Sequence, residues 1–290
     1  MLELLPQVLV SGVSLGMIYG LIAFGYQLTY VTSKTVNFGQ AEALAVGALV
    51  GLTLQPHLGY WAAIPVVMLF GAIYGMAVER IAVRPALKAG SEGWILGTIA
   101  VGIIMKNVAE NIWGKEDLPF PSPLPPSPLQ IGTAFVMPME ILIVGGALVL
   151  MVAVEFLNRF TLIGRAFVAT ADDREAASLM GISTKAVIAG SFALSCASAA
   201  YAGVLIAPLT LTGAGMGLIL VLKGFAAAIL GGLTSGTGAL VGGLIIGIAE
   251  ATTAFYLSTG FKEVPGLVIL LVALALKPEG LFGKPLSKKV

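Results

Sequence analysis

RAFVATADDREAASLMGI, residues 165–182, is the one sizeable polar segment between two long apolar regions of the chain. Arg165, Asp172, Asp173, Arg174 and Glu175 recur there among Ala, Val, Leu and Met at roughly helical spacing. That spacing predicts a short amphipathic helix lying along a membrane surface or in a partner's groove, with one face wet. On either side, the apolar runs are about 20 residues long, the length of spanning helices and not of barrel strands. They fall at about 7–31, 37–54, 60–79, 94–113, 138–157, 184–208, 218–233, 238–257 and 265–277. The expected fold is therefore all-α and polytopic, with eight or nine transmembrane helices in a single domain over 1–290. The count is eight if 37–54 is re-entrant or the short last run does not cross.

Composition agrees. Of 290 residues, 58% are apolar and only 11% charged, and mean hydropathy is +0.98. A soluble domain carries about a quarter of its residues charged, so this is an integral membrane protein. A net charge of +1 gives no electrostatic case for nucleic acid. Cys196 and His57 are the single cysteine and the single histidine. They exclude an intrachain disulfide, a cysteine metal cluster, a histidine zinc site and a Ser-His-Asp triad. No catalytic dyad and no G-x-x-x-x-G-K-[ST] loop is found, so the chain does not itself hydrolyse ATP. No Lys or Arg precedes the first apolar run, which points to a retained spanning helix and not a cleaved signal.

Positive charge sets the expected orientation. With 158–183 inside, alternation also places 32–36, 80–93, 234–237 and the C-terminal tail inside. Those segments hold Lys34, Arg80, Arg84, Lys88, Arg159, Arg165, Arg174, Lys277, Lys284, Lys288 and Lys289, with Lys185 at the boundary. That makes 12 of the 16 Lys and Arg residues, while only Lys115 and Lys262 fall outside. The N-terminus is expected out and the C-terminus in.

Proline and glycine refine the picture. PFPSPLPPSP at 119–128 prevents helix and favours an extended, stiff outer loop. Such a loop serves either as a rim for a substrate-delivering protein or simply as a bridge between helix ends. Gly12, Gly16 and Gly20 repeat every four residues, and Gly231, Gly232, Gly236, Gly238, Gly242, Gly243 and Gly247 crowd the seventh and eighth runs. Small residues at that spacing let helices approach closely; glycines also permit broken helices at transport sites. Asn37-Phe38-Gly39-Gln40-Ala41-Glu42 is the candidate for such a break.

Charges inside spans are expensive and functional candidates. Lys223 and Glu250 average to residue 236.5, near the midpoint of a hairpin turning at 234–238, so they lie level on adjacent antiparallel helices. They either brace the hairpin as a buried ion pair or line a pathway. Lys106, Asn107, Glu110 and Asn111 form an i, i+1, i+4, i+5 stripe on the fourth run. Glu110 can partly neutralise Lys106. Asn37, Gln40, Glu42, Lys106 and Asn107 are the candidate lining of a translocation pathway.

Several stretches resemble one known family. They are GVSLGMIYGLIAFGYQLTYV at 12–31, VNFGQAEALAVGA at 36–48, VERIAVRP at 78–85 and GRAFVATADDREAASLMGI at 164–182. KGFAAAILGGLTSGTGALVGGLIIGIAEA at 223–251 and KPEGLFGKP at 277–285 complete the set. Together they resemble the LivH-type permease subunits of branched-chain amino-acid ABC importers, a family with relatives for urea and short amides. Glu175-Ala176-Ala177, with three residues before Gly181, matches the EAA-x-x-x-G pattern by which such permeases engage their ATPase. The resemblance therefore assigns Arg165, Asp172, Asp173, Glu175, Ala176, Ala177 and Gly181 to ATPase coupling.

The same resemblance implies a multi-pass protein of a bacterial inner membrane, its N-terminus periplasmic and its C-terminus cytoplasmic. The implied partners are a second, related permease, two cytoplasmic ATPases and a periplasmic substrate-binding protein. ATP and Mg belong to the ATPases, and no cofactor to this chain. Two departures bear on the ligand. Many members carry N-F-A-H-G-E where this chain has Gln40 in place of the His, and Lys106 stands at a commonly uncharged position. The expected cargo is a branched-chain or other hydrophobic amino acid, with urea, short amides and small organic acids as alternatives; Lys106 would suit a carboxylate. A different class, an ion-coupled secondary carrier, would use Glu42 or Glu250 as its intramembrane carboxylate. A channel or scaffold is a third.

Overall fold

The computed structural model describes residues 5–131, 134–277 and 279–283. Lys284, Lys288, Lys289 and the end of the KPEGLFGKP stretch lie outside the described residues. Twelve helices are present among those described: α1 (Leu5–Ser33), α2 (Gln40–Leu58), α3 (Tyr60–Val78), α4 (Arg84–Lys88), α5 (Trp94–Trp113) and α6 (Pro138–Phe160). They continue with α7 (Leu162–Asp172), α8 (Arg174–Leu179), α9 (Thr184–Ile206), α10 (Met216–Gly231), α11 (Gly236–Tyr256) and α12 (Val264–Leu276). Four short strands are β1 (Leu118–Pro119), β2 (Leu129–Ile131), β3 (Ala134–Val136) and β4 (Leu211–Thr212).

A helix covers every apolar run, as backbone in hydrocarbon must satisfy its own hydrogen bonds. Among the described residues, the segments holding α1, α3, α5, α6, α9, α11 and α12 are long and apolar enough to cross a membrane. α10 is shorter, at 16 residues. α2 has 19 residues, but Gln40 and Glu42 begin it and Gln55 and His57 end it. Protein encloses most of its first half, from Gln40 to Gly51, whereas Pro56, His57 and Leu58 at its end are exposed.

Two compact units divide the chain. One comprises 28–121 and 149–218, and its core is α2, α3 and α9. Side chains are minimised where these helices meet. A Cβ on Gly47 would stand 2.6 Å from the Ala200 Cα, and one on Gly71 would stand 2.6 Å from the Cys196 carbonyl oxygen. α5 covers this core through Met105, Ala109 and Trp113, which pack on Val46 and Leu49. A π-helical turn, Glu79–Val83, joins α3 to α4. Its wide register bonds the Arg84 amide to the Glu79 carbonyl and aligns their side chains. Arg84 then donates Nε and Nη2 to the two Glu79 carboxylate oxygens at 3.0 and 2.8 Å. This is the physical content of the VERIAVRP stretch.

The proline-rich segment is free of helix, as expected. β1 pairs antiparallel with β4, Leu118 opposite Thr212. Gln55 Nε2 donates to the Pro121 carbonyl at 3.0 Å, and Phe120 is buried against Tyr60.

The other unit comprises the described residues of 1–27, 122–148 and 219–290. Here the glycine repeat of α1 meets that of α11. A Cβ on Gly16 would stand 2.8 Å from the Leu244 Cα and 2.9 Å from the Gly243 carbonyl oxygen. Close helix packing is thus the role of this repeat. Leu281 and Phe282 donate their amides to the carbonyls of Leu230 and Gly231, closing the C-terminal end of α10. β2 and β3 form a hairpin in register Leu129 to Val136.

Candidate functional site

The polar segment begins at a sharp corner. Thr161 caps α7, its Oγ1 accepting the Gly164 amide at 3.0 Å. The periodicity of 165–182 predicts a single helix; the structure breaks it at Asp173, which adopts an extended conformation (φ −152°, ψ 113°). The reason is capping. Asp173 Oδ1 accepts the amides of Glu175 and Ala176 at 2.9 and 3.1 Å, satisfying donors that a helix start leaves open. α8 then ends after six residues. Gly181 has φ +85°, its amide bonds to the Ser178 carbonyl, and the Ile182 amide bonds to that of Ala177. This is a Schellman closure, and it gives the glycine of EAA-x-x-x-G a backbone reason.

The two short helices leave an apolar surface uncovered in this chain. Leu179 and Met180 are 89% and 83% exposed, and Leu162, Ile163 and Val168 are also exposed. Arg165, Asp172, Asp173, Glu175, Ala176 and Gly181 share that exposure, whereas Ala177 is buried. Arg174 turns inward. Its Nε donates to the Thr32 carbonyl at the end of α1 at 2.7 Å, and burial lowers its pKa from the ordinary arginine value.

The candidate pathway residues separate into two groups. Asn37 and Gln40 are fully buried at the start of α2. Asn37 Oδ1 accepts the Gly39 amide at 3.0 Å and its Nδ2 donates to Cys196 Sγ at 3.1 Å. Ser195 Oγ donates to Gln40 Oε1 at 3.2 Å. Both side chains thereby fasten the non-helical stretch before α2 to α9. Glu42 is half-buried, its carboxylate lodged where Gly102 of α5 has no side chain. Lys106, one turn further along α5, is close enough to act on it electrostatically. Lys106 Nζ also lies 3.7 Å from Glu110. Asn107 is exposed and donates to the Ile103 carbonyl at 2.7 Å; Asn111 repeats this with Asn107 at 2.8 Å.

Lys223 and Glu250, expected level on adjacent helices, are in contact. Lys223 Nζ is 3.0 Å from Glu250 Oε2, which also accepts the Tyr19 hydroxyl at 2.8 Å. Glu263 Oε1 lies 3.9 Å from the same ammonium. The second Glu250 oxygen, Oε1, is buried without a hydrogen-bond partner and faces Gly266, where a Cβ would stand 3.1 Å away.

Against this geometry, a family model described as the permease component of branched-chain amino acid transport systems matches residues 8–276. The chain belongs to that family. The permease is 33% identical over 304 residues to the LivH permease protein of the high-affinity branched-chain amino acid transport system of Escherichia coli, covering 98% of this chain and 97% of that one. It is 30% identical to BraD of Pseudomonas aeruginosa, with 98% and 97% coverage. A probable LivH of Methanocaldococcus jannaschii is 30% identical, with 91% and 88% coverage. The solved structure of PsaBC from Streptococcus pneumoniae in complex with Fab shares the fold, with TM-score 0.51 and 14% identity over 96% of this chain and 93% of that one. The chain is thus an importer permease subunit, polytopic and built of apolar helices.

Arg174 and Tyr19 are the residues that pattern reading misses. Arg174 is visible in the sequence only as one charge among several; Tyr19 sits in an apolar run with nothing in its spacing to mark it.

Proposed function

We propose that the permease is one half of a translocation pathway in a bacterial inner membrane, completed by a second, related permease. Two cytoplasmic ATPases bind and hydrolyse ATP, and a periplasmic protein delivers the cargo. The cargo is a branched-chain or other hydrophobic amino acid; the relatives in Escherichia coli and Pseudomonas aeruginosa are named for branched-chain amino acids. With nine crossings the N-terminus faces the periplasm and the C-terminus the cytoplasm, in keeping with the bias of Lys and Arg, whereas eight would place both ends on one side. Arg165, Asp172, Asp173, Glu175, Ala176, Ala177 and Gly181 make up the seat of the ATPase. Glu42, Lys106 and Asn107 border the path, while Asn37 and Gln40 hold its irregular backbone in place.

One observation carries this reading: α7 and α8 expose Leu179 and Met180 almost completely on a short, rigidly capped element. Apolar side chains so placed on a polar segment call for a partner's groove. The permease needs no chemistry of its own, because cargo moves when its partners bind two conformations with different affinity.

Pull-down from native membranes tests it. Tagged wild-type chain should recover two ATPases and a second permease. Leu179→Asp with Met180→Asp should recover the second permease but lose the ATPases at least tenfold. Full recovery of the ATPases by that variant contradicts the assignment of the seat.

A further inference from the structure

An ATPase seat on α8 works only if its motion reaches the helices behind it, and any such link rests on the coupling role proposed for α7 and α8. We propose that Arg174 is the positioning residue of that link, a latch between α8 and the C-terminal end of α1. Its Nε reaches the Thr32 carbonyl at 2.7 Å across 142 residues of sequence. A carbonyl in the last turn of a helix has no partner within the helix, and a cation there also meets the negative end of the helix dipole. Thr32 is itself fully buried, and its hydroxyl donates to Ser191 Oγ at 2.7 Å. Ser191 in turn donates to the Ile188 carbonyl at 2.7 Å. Through its carbonyl and its hydroxyl, Thr32 therefore joins α8 to the end of α1 and the end of α1 to α9.

Two further features mark the contact as one with a second position. Arg174 Nη2 is buried and has no hydrogen-bond partner. A buried donor left unmade is costly, and the second position proposed for the latch is one in which it finds an acceptor. α1 also terminates in a strained conformation, because Lys34 holds φ +53° without being glycine, its amide bonded to the Tyr30 carbonyl at 2.8 Å. The planar, forked guanidinium suits two such positions; an ammonium offers a single point.

The test is amide hydrogen exchange on the permease in complex with its ATPases, with and without a non-hydrolysable ATP analogue. In wild type, the analogue should change exchange both in 174–182 and in 28–36. In Arg174→Ala, the change in 174–182 should persist and that in 28–36 should shrink at least fivefold. A purely structural side chain would alter exchange equally with and without nucleotide. Arg174→Lys, which keeps a charged donor group but at a single point, should retain part of the response, and it decides alone if Arg174→Ala fails to assemble. An undiminished response in 28–36 for either assembled variant overturns the latch and leaves the coupling reading standing. Absence of any response in 174–182 of wild type overturns both.

Discussion

Lys223, Glu250 and Tyr19 gather polar groups where the surroundings are apolar, and brace and pathway make different predictions for them. Lys223 and Glu250 are both largely buried, with side-chain exposures of 12% and 3%, and Glu250 Oε1 is pressed toward Gly266. That arrangement satisfies one carboxylate oxygen within the chain, and the role we propose for the pair is a brace. Removing one partner of a buried pair costs about 3–5 kcal/mol, whereas replacing both by apolar groups is often neutral. Lys223→Met should therefore destabilise by about that amount in thermal or denaturant unfolding in detergent, and Lys223→Met with Glu250→Met should recover most of the loss. Uptake should follow stability across the series. A stable double variant without uptake would make the pair part of the pathway. The pair is legible in the sequence, because two charges equidistant from one turn lie level on adjacent antiparallel helices. Arg174 on Thr32 and Asn37 on Cys196 are not: their partners are a backbone carbonyl and a thiol more than 100 residues away, and no pattern advertises either.

At the scale of elements, glycine sets distances and capping sets lengths. The α1 and α11 backbones touch at Gly16 and Gly243, so any side chain at Gly16 must force them apart. Gly145 of α6, by contrast, has open space where its Cβ would be. Overpacking a tight contact costs roughly 1–3 kcal/mol, and more where backbone must move. Gly16→Leu should lower the unfolding temperature and the yield of folded protein, measured by size-exclusion chromatography with fluorescence detection; Gly145→Leu should leave both near wild type. Equal tolerance at the two sites would contradict the close packing. The glycine repeats are readable for this purpose from their spacing alone. The break at Asp173 is not, because apolar periodicity continues across it and masks a capping residue that only local backbone geometry exposes.

On the scale of the whole molecule, the helical plan follows from composition and run length. A chain with 11% charged residues cannot cover a water-facing surface, and runs of about 20 apolar residues have few alternatives to helix. What composition cannot supply is which helices protein encloses. α2 looks from sequence like a marginal span, yet protein takes up its polar start: Gln40 accepts from Ser195 of α9, and Glu42 lodges against Gly102 of α5. The exposed apolar faces of α5 and α6, and the proposed seat on α7 and α8, are surfaces whose occupants composition does not name. ATP, acting through separate ATPases, is the proposed drive for amino acid import by this permease. The most direct measurement is leucine uptake into proteoliposomes holding the complete complex, with ATP inside the lumen on the ATPase side and binding protein on the other. Uptake that requires ATP and the binding protein, and survives collapse of the proton and sodium gradients, is the predicted result. Uptake by this chain alone, driven by an ion gradient and indifferent to ATP, would contradict it.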